Sequence, residues 1–205
     1  MPAELLSNLP IFPLGTVLFP ESALPLRIFE ARYMDMVRDC MQTGAPFGVC
    51  LIIKGKEVGR PAEHERIGCL ATITDWDMEQ LGLLHIRTRG RGRFSIVDRR
   101  VQSDGLILAE ATPIEPDPEE PLAGKFADCA VLLRRIVEDL IEKEPSALNR
   151  MIGEPYRYES SSWVSNRLCE FLPIPATAKQ KLMELPDPEA RLEIVHQYLQ
   201  QHRVL

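Results

Sequence analysis

The chain has 205 residues, a formal net charge of −6 and 45% hydrophobic residues, which is the composition of an ordered globular protein. This length has room for one large domain or two small ones and excludes a large ATP-driven machine. The negative charge argues against a general nucleic-acid binder, which needs a basic surface. Proline, at 17 residues, exceeds its usual share of about 5% and predicts many rigid turns.

The cysteines indicate the cellular compartment. Five are scattered along the chain, with no CxxC redox motif and no zinc-ribbon spacing. We therefore expect buried, reduced thiols and a cytoplasmic location.

The N-terminus has no cationic region, and three prolines break its first apolar stretch. These features predict neither a signal peptide nor a membrane span.

Residues 1–112 are predicted to form mainly short strands. The continuous apolar run 47–53 is typical of a strand covered on both faces. Further strands are predicted at 67–76, 83–88, 93–99 and 106–112, separated by glycines and by an Asp104-Gly105 turn. Strands at this spacing predict an antiparallel barrel or sandwich.

One amphipathic helix interrupts the predicted strands. Its apolar residues recur at helical spacing and share one face: Phe29, Tyr33, Met36, Val37, Cys40 and Met41. We expect this stripe to cover one end of the barrel, because a lone amphipathic helix needs an apolar surface to pack against.

The stretch TPIEPDPEEP, which begins at Thr112, holds four prolines and four acidic residues. It is predicted to be a stiff linker, because proline cannot occupy a helix interior or a central strand. After it the hydrophobic period changes from two residues to 3.6. The predicted organisation is a β-rich subdomain (1–112), a linker (113–121) and an α-helical bundle (122–205).

Four helices are predicted in the second half. The first contains apolar residues at helical spacing from Leu122 to Ile141. The second begins after a serine cap at Ser160 and ends before Pro173, and the third covers 176–185. The last opens on Asp187-Pro188, a cap followed by proline at the first helical position, and continues to about Arg203.

Motifs that would carry catalysis are absent from the sequence. There is no G-x-x-x-x-G-K-[ST] nucleotide loop, and the four histidines lack the spacing of a zinc-binding helix. The serine run 160–162 has no G-x-S-x-G context and is typical of a helix cap. We therefore expect no enzyme activity, no catalytic residues, no cofactor and no metal.

One basic segment contrasts with the acidic whole. Six arginines lie within fourteen residues, with Asp98 as the one opposing acid: Arg87, Arg89, Arg91, Arg93, Arg99 and Arg100. The first four alternate and would share one face of a continuous strand, which Gly90 and Gly92 can interrupt. Such a stripe can bind an anionic partner such as RNA. It is also typical of a solvated strand face paired with neighbouring acids, and this interpretation is favoured.

Several segments resemble a known family. Residues 9–20, LPIFPLGTVLFP, and 24–33, LPLRIFEARY, are similar to the opening of the Lon protease N-terminal (substrate-binding) domain. The segment GRGRFSI at 90–96 resembles the family's second signature, G-x-x-R-F-x-I, and residues 175–193 are similar to its end. The ATPase and Ser–Lys peptidase modules of full-length Lon are missing, so the resemblance indicates a stand-alone Lon N-domain.

The resemblance implies an α+β fold with an N-terminal PUA-like β pseudo-barrel, one amphipathic helix and a C-terminal α-helical bundle. It implies a non-catalytic module that binds unfolded or tagged polypeptides, or a protease or chaperone partner, without a membrane partner. RNA binding by a PUA-like module through the region Arg87–Arg100 is the alternative. The signature residues Phe12, Leu14, Phe19, Leu26 and Phe29 are expected in the core or in a binding groove.

A groove for extended peptides is predicted from part of the same signature. Its candidate lining residues are Leu14, Phe19, Leu24, Arg32, Tyr33 and Trp76. Such a groove would bind by strand addition, in which backbone hydrogen bonds supply affinity and side-chain pockets tolerate varied sequences.

Overall fold

The computed structural model describes residues 5–143, 152 and 155–205. Residues 1–4, on which the signal-peptide prediction rests in part, lie outside the described residues. The chain divides into two compact units, Met1–Glu115 and Pro116–Leu205. None of the helices within the described ranges has the length and apolarity that a bilayer crossing requires.

The described part of the first unit contains seven strands and one helix. In chain order these are β1 (Leu6–Leu14), β2 (Ala23–Ile28), α1 (Ala31–Thr43), β3 (Phe47–Lys54), β4 (Glu63–His64), β5 (Ile67–Gln80), β6 (Leu83–Val101) and β7 (Ile107–Pro113). The sheet order is β1-β7-β6-β5-β3-β4, with β2 paired to β6. Because β1 also pairs with β3, the five strands β1, β7, β6, β5 and β3 close on themselves.

The strand predictions need three corrections. The pairing is not entirely antiparallel, because β1 and β3 run parallel, with Ile11 opposite Gly48. The two strands predicted at 83–88 and 93–99 are one strand, β6, which continues through both glycines. β1 and β2 were not predicted, because the prolines of the signature segment obscure an alternating pattern.

Helix α1 packs on the core of the first unit as predicted, with Tyr33, Met36, Val37 and Cys40 buried. The Tyr33 ring stacks on Phe12 with 4.0 Å between ring centroids. The start of the predicted stripe is wrong, because Phe29 precedes the helix and is 55% exposed. The helix ends at Gly44, whose φ of 71° lies in the left-handed region.

The described part of the second unit contains a short 3-10 turn and four helices: Gly124–Phe126, α2 (Ala127–Lys143), α3 (Ser161–Phe171), α4 (Ala176–Glu184) and α5 (Pro188–Gln201). Two predicted caps are confirmed. The Ser160 hydroxyl accepts a hydrogen bond from the Trp163 amide at 3.2 Å. The Asp187 carboxylate accepts from the amides of Glu189 and Ala190, with Pro188 at the first helical turn.

The proline-acid segment is more tightly held than a solvated linker. The Asp117 carboxylate accepts hydrogen bonds from the Ser162 hydroxyl at 2.9 Å and from the Arg191 guanidinium at 2.8 Å. The Ser161 amide donates to the Glu120 carbonyl at 3.0 Å. Side-chain and backbone partners far along the chain therefore hold residues 117–121 in place within the second unit, which the composition of the segment does not predict.

Candidate functional site

The structure places the six predicted groove residues in different environments. Four are buried in the first unit: Leu14, Phe19, Arg32 and Tyr33. Leu24 on β2 is half-buried, and Trp76 on β5 is 55% exposed. These four residues cannot line an open groove, because their side chains are enclosed within the first unit.

The buried Arg32 has a structural partner set. Its guanidinium donates to the Gly105 carbonyl at 3.1 Å and to the Glu30 carboxylate at 3.0 Å, and it lies 4.6 Å from the centroid of the Tyr33 ring. The same Glu30 carboxylate accepts from the Gly59 amide at 3.2 Å. These contacts join the start of α1 to the turn between β6 and β7, so this part of the signature stabilises the fold.

Trp76 lines an open groove between α1 and the β5–β6 hairpin. We call this cavity, which has a volume of about 540 Å³, the Trp76 groove. Its apolar lining residues are Met34, Met41, Trp76, Met78 and Leu84, and its polar ones are Asp35, Arg38 and Gln42. Flexible methionine side chains adapt to ligands of different shape, so this lining suits a site that accepts varied apolar side chains.

A second recess of about 360 Å³ adjoins this groove and shares Met41 and Trp76 with it. It follows residues 72–76 of β5 on one side and is bordered by Gly44 and Ala45 on the other. Strand β3 pairs with β5 only at residues 69–71. Among the described residues no strand pairs with that edge of β5 from 72 to 80, which we call the β5 edge.

The arginine stripe does not occupy one exposed face. Arg87 is exposed and lies 3.4 Å from the Asp75 carboxylate, and the Arg91 guanidinium donates to the Thr72 hydroxyl at 3.0 Å. Arg93 is buried and donates to the Glu115 carbonyl at 3.3 Å. The reason is a register shift between the Ala71–Gly90 and Cys69–Arg93 pairs, which interrupts the alternation.

Arg99 and Arg100, at the end of the basic segment, are also engaged within the chain. The Arg99 guanidinium lies 2.7 Å from the His64 Nε2 atom, and Arg100 donates to the Asn8 side chain. The His64 Nδ1–H donates to the Glu65 carbonyl at 2.8 Å, so Nε2 is the acceptor for Arg99. Burial lowers the pKa of His64 and holds this imidazole neutral.

A cluster that the sequence did not predict joins α2 to α5. Asp128, Cys129 and His196 place three potential ligand atoms within 4.8 Å of one another. The His196 Nε2 atom is 2.9 Å from the Asp128 carboxylate, and the Phe126 ring packs edge-on against the imidazole. Burial raises the pKa of the Cys129 thiol to about 12, so the thiol keeps its proton at neutral pH. These contacts are those of two helices packed together.

The family is decided by a comparison over almost the whole chain. A model of the ATP-dependent protease La (LON) substrate-binding domain matches residues 8–201. The chain belongs to this family. The resemblance predicted from the motifs is thus confirmed, and the family supports a substrate-recognition module as the coarse function.

Solved structures agree with this assignment. The crystal structure of a Lon N-terminal domain protein from Xanthomonas campestris is 33% identical, has a TM-score of 0.76, and covers 94% of this chain and 99% of its own. The N-terminal domain of a Mycobacterium avium complex Lon protease shares the fold, with a TM-score of 0.60 and 15% identity. The α+β prediction is confirmed as a mixed fold with a large, mainly antiparallel sheet and helices.

Curated relatives are considerably longer than this chain. The Lon protease of Chloroherpeton thalassium is 23% identical over 92% of this chain and 22% of its own length. The LON peptidase N-terminal domain and RING finger protein of Schizosaccharomyces pombe is 24% identical over 95% of this chain and 45% of its own. Protein cereblon of Gallus gallus is 28% identical over 50% of this chain and 23% of its own. This chain thus spans less than half the length of each.

Proposed function

We propose that this chain is a non-catalytic module that binds extended segments of unfolded or tagged polypeptides in the Trp76 groove. The observation that carries the proposal is an apolar groove beside an open strand edge, with Trp76 55% and Met78 38% exposed. Large apolar side chains grouped at a cavity mark binding surfaces, because burial on binding removes them from water. The family supports a role in substrate recognition.

Varied polypeptides can share such a site because backbone and side chains contribute differently. Backbone hydrogen bonds along the β5 edge do not depend on the sequence that binds, although the Trp76 amide already donates to the Asp75 carboxylate at 2.9 Å. The groove next to this edge accepts apolar side chains. We expect dissociation constants in the micromolar range, since one short strand and two or three apolar anchors give modest affinity.

The architecture of the two units, the partner and the cellular location are part of the same proposal. The closed five-strand arrangement is proposed to be a PUA-like pseudo-barrel, and helices α2–α5 the helical bundle of residues 122–205. A protease or ubiquitin-ligase partner is proposed from the names of the relatives, which include Lon protease and a RING finger protein. A chaperone partner stays a prediction from the sequence resemblance. A cytoplasmic location is supported by five cysteines that are all buried free thiols.

The experiment measures binding of a fluorescently labelled, permanently unfolded polypeptide, such as reduced and carboxymethylated lactalbumin, by anisotropy. The expected result is micromolar binding that weakens at least about tenfold in Trp76→Ala, because the variant removes the largest apolar anchor. Leu81→Ala is the matched control, since Leu81 is 96% exposed in the β5–β6 turn and outside the groove.

Two outcomes count against the proposal. One is the absence of binding at about 100 μM, beyond which affinity is too weak to be useful. The other is an unchanged affinity in Trp76→Ala, which would place the site elsewhere. A labelled single-stranded RNA in the same assay tests the alternative function of the Arg87–Arg100 region.

A further inference from the structure

The β5 edge indicates which polypeptide segments this protein prefers, an inference that rests on the proposed function. Strand β6 pairs with one side of β5 between Ile67, opposite Ser95, and Gln80, opposite Leu83. Register shifts interrupt this pairing at three places, and residues 75–77 pair in unbroken register between two of them. On its other side β5 is unpaired from 72 to 80 within the described part of the chain. A recess of about 360 Å³ lies along residues 72–76.

The two faces of β5 differ in chemistry beyond Thr74. Trp76 and Met78 both line the Trp76 groove, so they lie on one face of the strand. Asp75 and Asp77 alternate with them and lie on the other face, both exposed. A strand added at the β5 edge therefore meets apolar and acidic neighbours in alternation.

Strand β6 shows which partner fits this alternation. Arg87 lies opposite Asp75, Ile86 opposite Trp76, and His85 opposite Asp77. This part of β6 therefore has a basic residue on each side of an apolar one. The guanidinium of Arg87 lies 3.4 Å from the Asp75 carboxylate. Because the same two faces of β5 continue to its open edge, a strand on that side meets the same cross-strand preferences.

The surrounding charge favours the same partner. Helix α1, on the far side of the Trp76 groove, exposes two carboxylates and one guanidinium, those of Asp35, Asp39 and Arg38. A second copy of β5 would place carboxylates beside carboxylates, which destabilises the pairing of two such edges. An acidic peptide would meet the same repulsion.

We propose that the β5 edge selects extended segments in which basic and apolar residues alternate. The bound segment adds as a strand to β5, its apolar side chains enter the Trp76 groove, and its cationic side chains lie beside Asp75 and Asp77. Polypeptides that expose such segments when unfolded are the preferred clients of this module.

Capped heptapeptides measured by competition against the labelled unfolded polypeptide test this inference. One alternates Lys and Val, a second has the same composition in two blocks, and a third alternates Glu and Val. The alternating Lys–Val peptide is expected to bind about tenfold more tightly than the Glu–Val peptide at low salt, a difference that 0.5 M NaCl reduces. It is also expected to bind more tightly than the block peptide, and equal binding of these two overturns the preference for alternation. A fourth Lys–Val peptide, N-methylated at the amides that face β5, is expected to lose binding because it cannot form the ladder.

Asp75→Asn combined with Asp77→Asn is expected to reduce the Lys-over-Glu preference to about threefold or less, since two opposite-charge pairs are removed. Asp139→Asn, at an exposed carboxylate on α2, is the matched control and keeps the full preference. An unchanged preference in the double variant, or equal binding of the Lys–Val and Glu–Val peptides, overturns the charge inference. Equal binding of the N-methylated peptide overturns strand addition.

The two proposals fail in distinguishable ways. Client binding that is lost in Trp76→Ala and shows no preference among the Lys–Val, block and Glu–Val peptides leaves the proposed function intact and removes this inference. Absence of binding by the unfolded polypeptide and by every peptide removes both.

Discussion

The buried guanidinium of Arg191 provides a strong test of how the second unit is stabilised. Its side chain is 1% exposed and donates hydrogen bonds to the Asp117 carboxylate at 2.8 Å, the Ser165 hydroxyl at 3.0 Å and the Leu182 carbonyl at 2.9 Å. It also donates to the Leu185 carbonyl. One side chain thus joins α5 to the end of α4, to α3 and to the segment that precedes α2.

Arg191→Met is expected to lower the free energy of unfolding by about 3–5 kcal/mol, the usual cost of removing one member of a buried ion pair. The cost is high because Asp117, whose side chain is 6% exposed, loses the buried guanidinium that faces it. A loss of this size is a large fraction of the stability of a small unit, which is about 5–15 kcal/mol.

Urea unfolding in a Trp76→Phe background measures the effect, because the remaining tryptophan, Trp163, is 2% exposed within the second unit. A loss of about 3–5 kcal/mol lowers the midpoint by roughly 2 M urea. Adding Asp117→Asn is expected to restore part of the loss, since it removes the buried carboxylate charge that Arg191 no longer faces. Lys143→Met, at an exposed pair with Asp139, is the control and costs less than about 1 kcal/mol. A similar cost for the Arg191 and Lys143 variants would refute the reasoning.

Three further predictions concern the rest of the chain. Gly90→Ala is expected to destabilise the first unit by about 1–3 kcal/mol in urea unfolding, because the added methyl group overlaps the Phe19 carbonyl oxygen, whereas Gly92→Ala meets open space. Burial lowers the pKa of His64 below its ordinary value of 6.5, so the unfolded chain binds the extra proton and stability falls as pH drops through 6.5. Thermal unfolding at pH 7.5, 6.5 and 5.5 measures this dependence, which His64→Gln flattens. Burial raises the pKa of the Cys40, Cys129 and Cys169 thiols to about 11 or 12. Iodoacetamide at pH 7.5 is therefore expected to label these cysteines slowly in the folded chain and fast in the unfolded chain.

Each of these predictions has a contradicting result. Equal stability of the Gly90 and Gly92 alanine variants would show that β6 tolerates a side chain beside Phe19. A pH dependence that is unchanged in His64→Gln would assign the acid sensitivity to other groups. Rapid labelling of the folded chain would show that the thiols are not shielded as the structure places them.

The helices could be predicted from sequence because their signals are local. Apolar spacing located α1 and α2, the Ser160 and Asp187 caps marked two helix starts, and the Asp104-Gly105 pair marked the turn between β6 and β7. The signature segments also indicated the family, since their residue sequences are specific to it. Neighbours within a short stretch of chain decide each of these features.

The candidate site depends on contacts between residues far apart in the chain. The sequence named Trp76 but grouped it with Leu14, Phe19 and Tyr33, which the closed sheet buries. It predicted a four-arginine stripe, but the register shift at Gly90 turns Arg93 inward. Alternation along a strand shows that two faces exist, and the pairing partners determine which face is buried.

The sequence by itself indicated the family, through its signature segments, and located the helices. Tertiary structure decided which signature residues form the core, how β1 closes onto β3, and that, among the residues the structure describes, no strand covers the β5 edge beside the exposed Trp76. The physical reason is that helix formation depends on residues that are close together in the sequence. Whether a strand edge is paired depends instead on where distant strands lie, and no local sequence pattern contains that information.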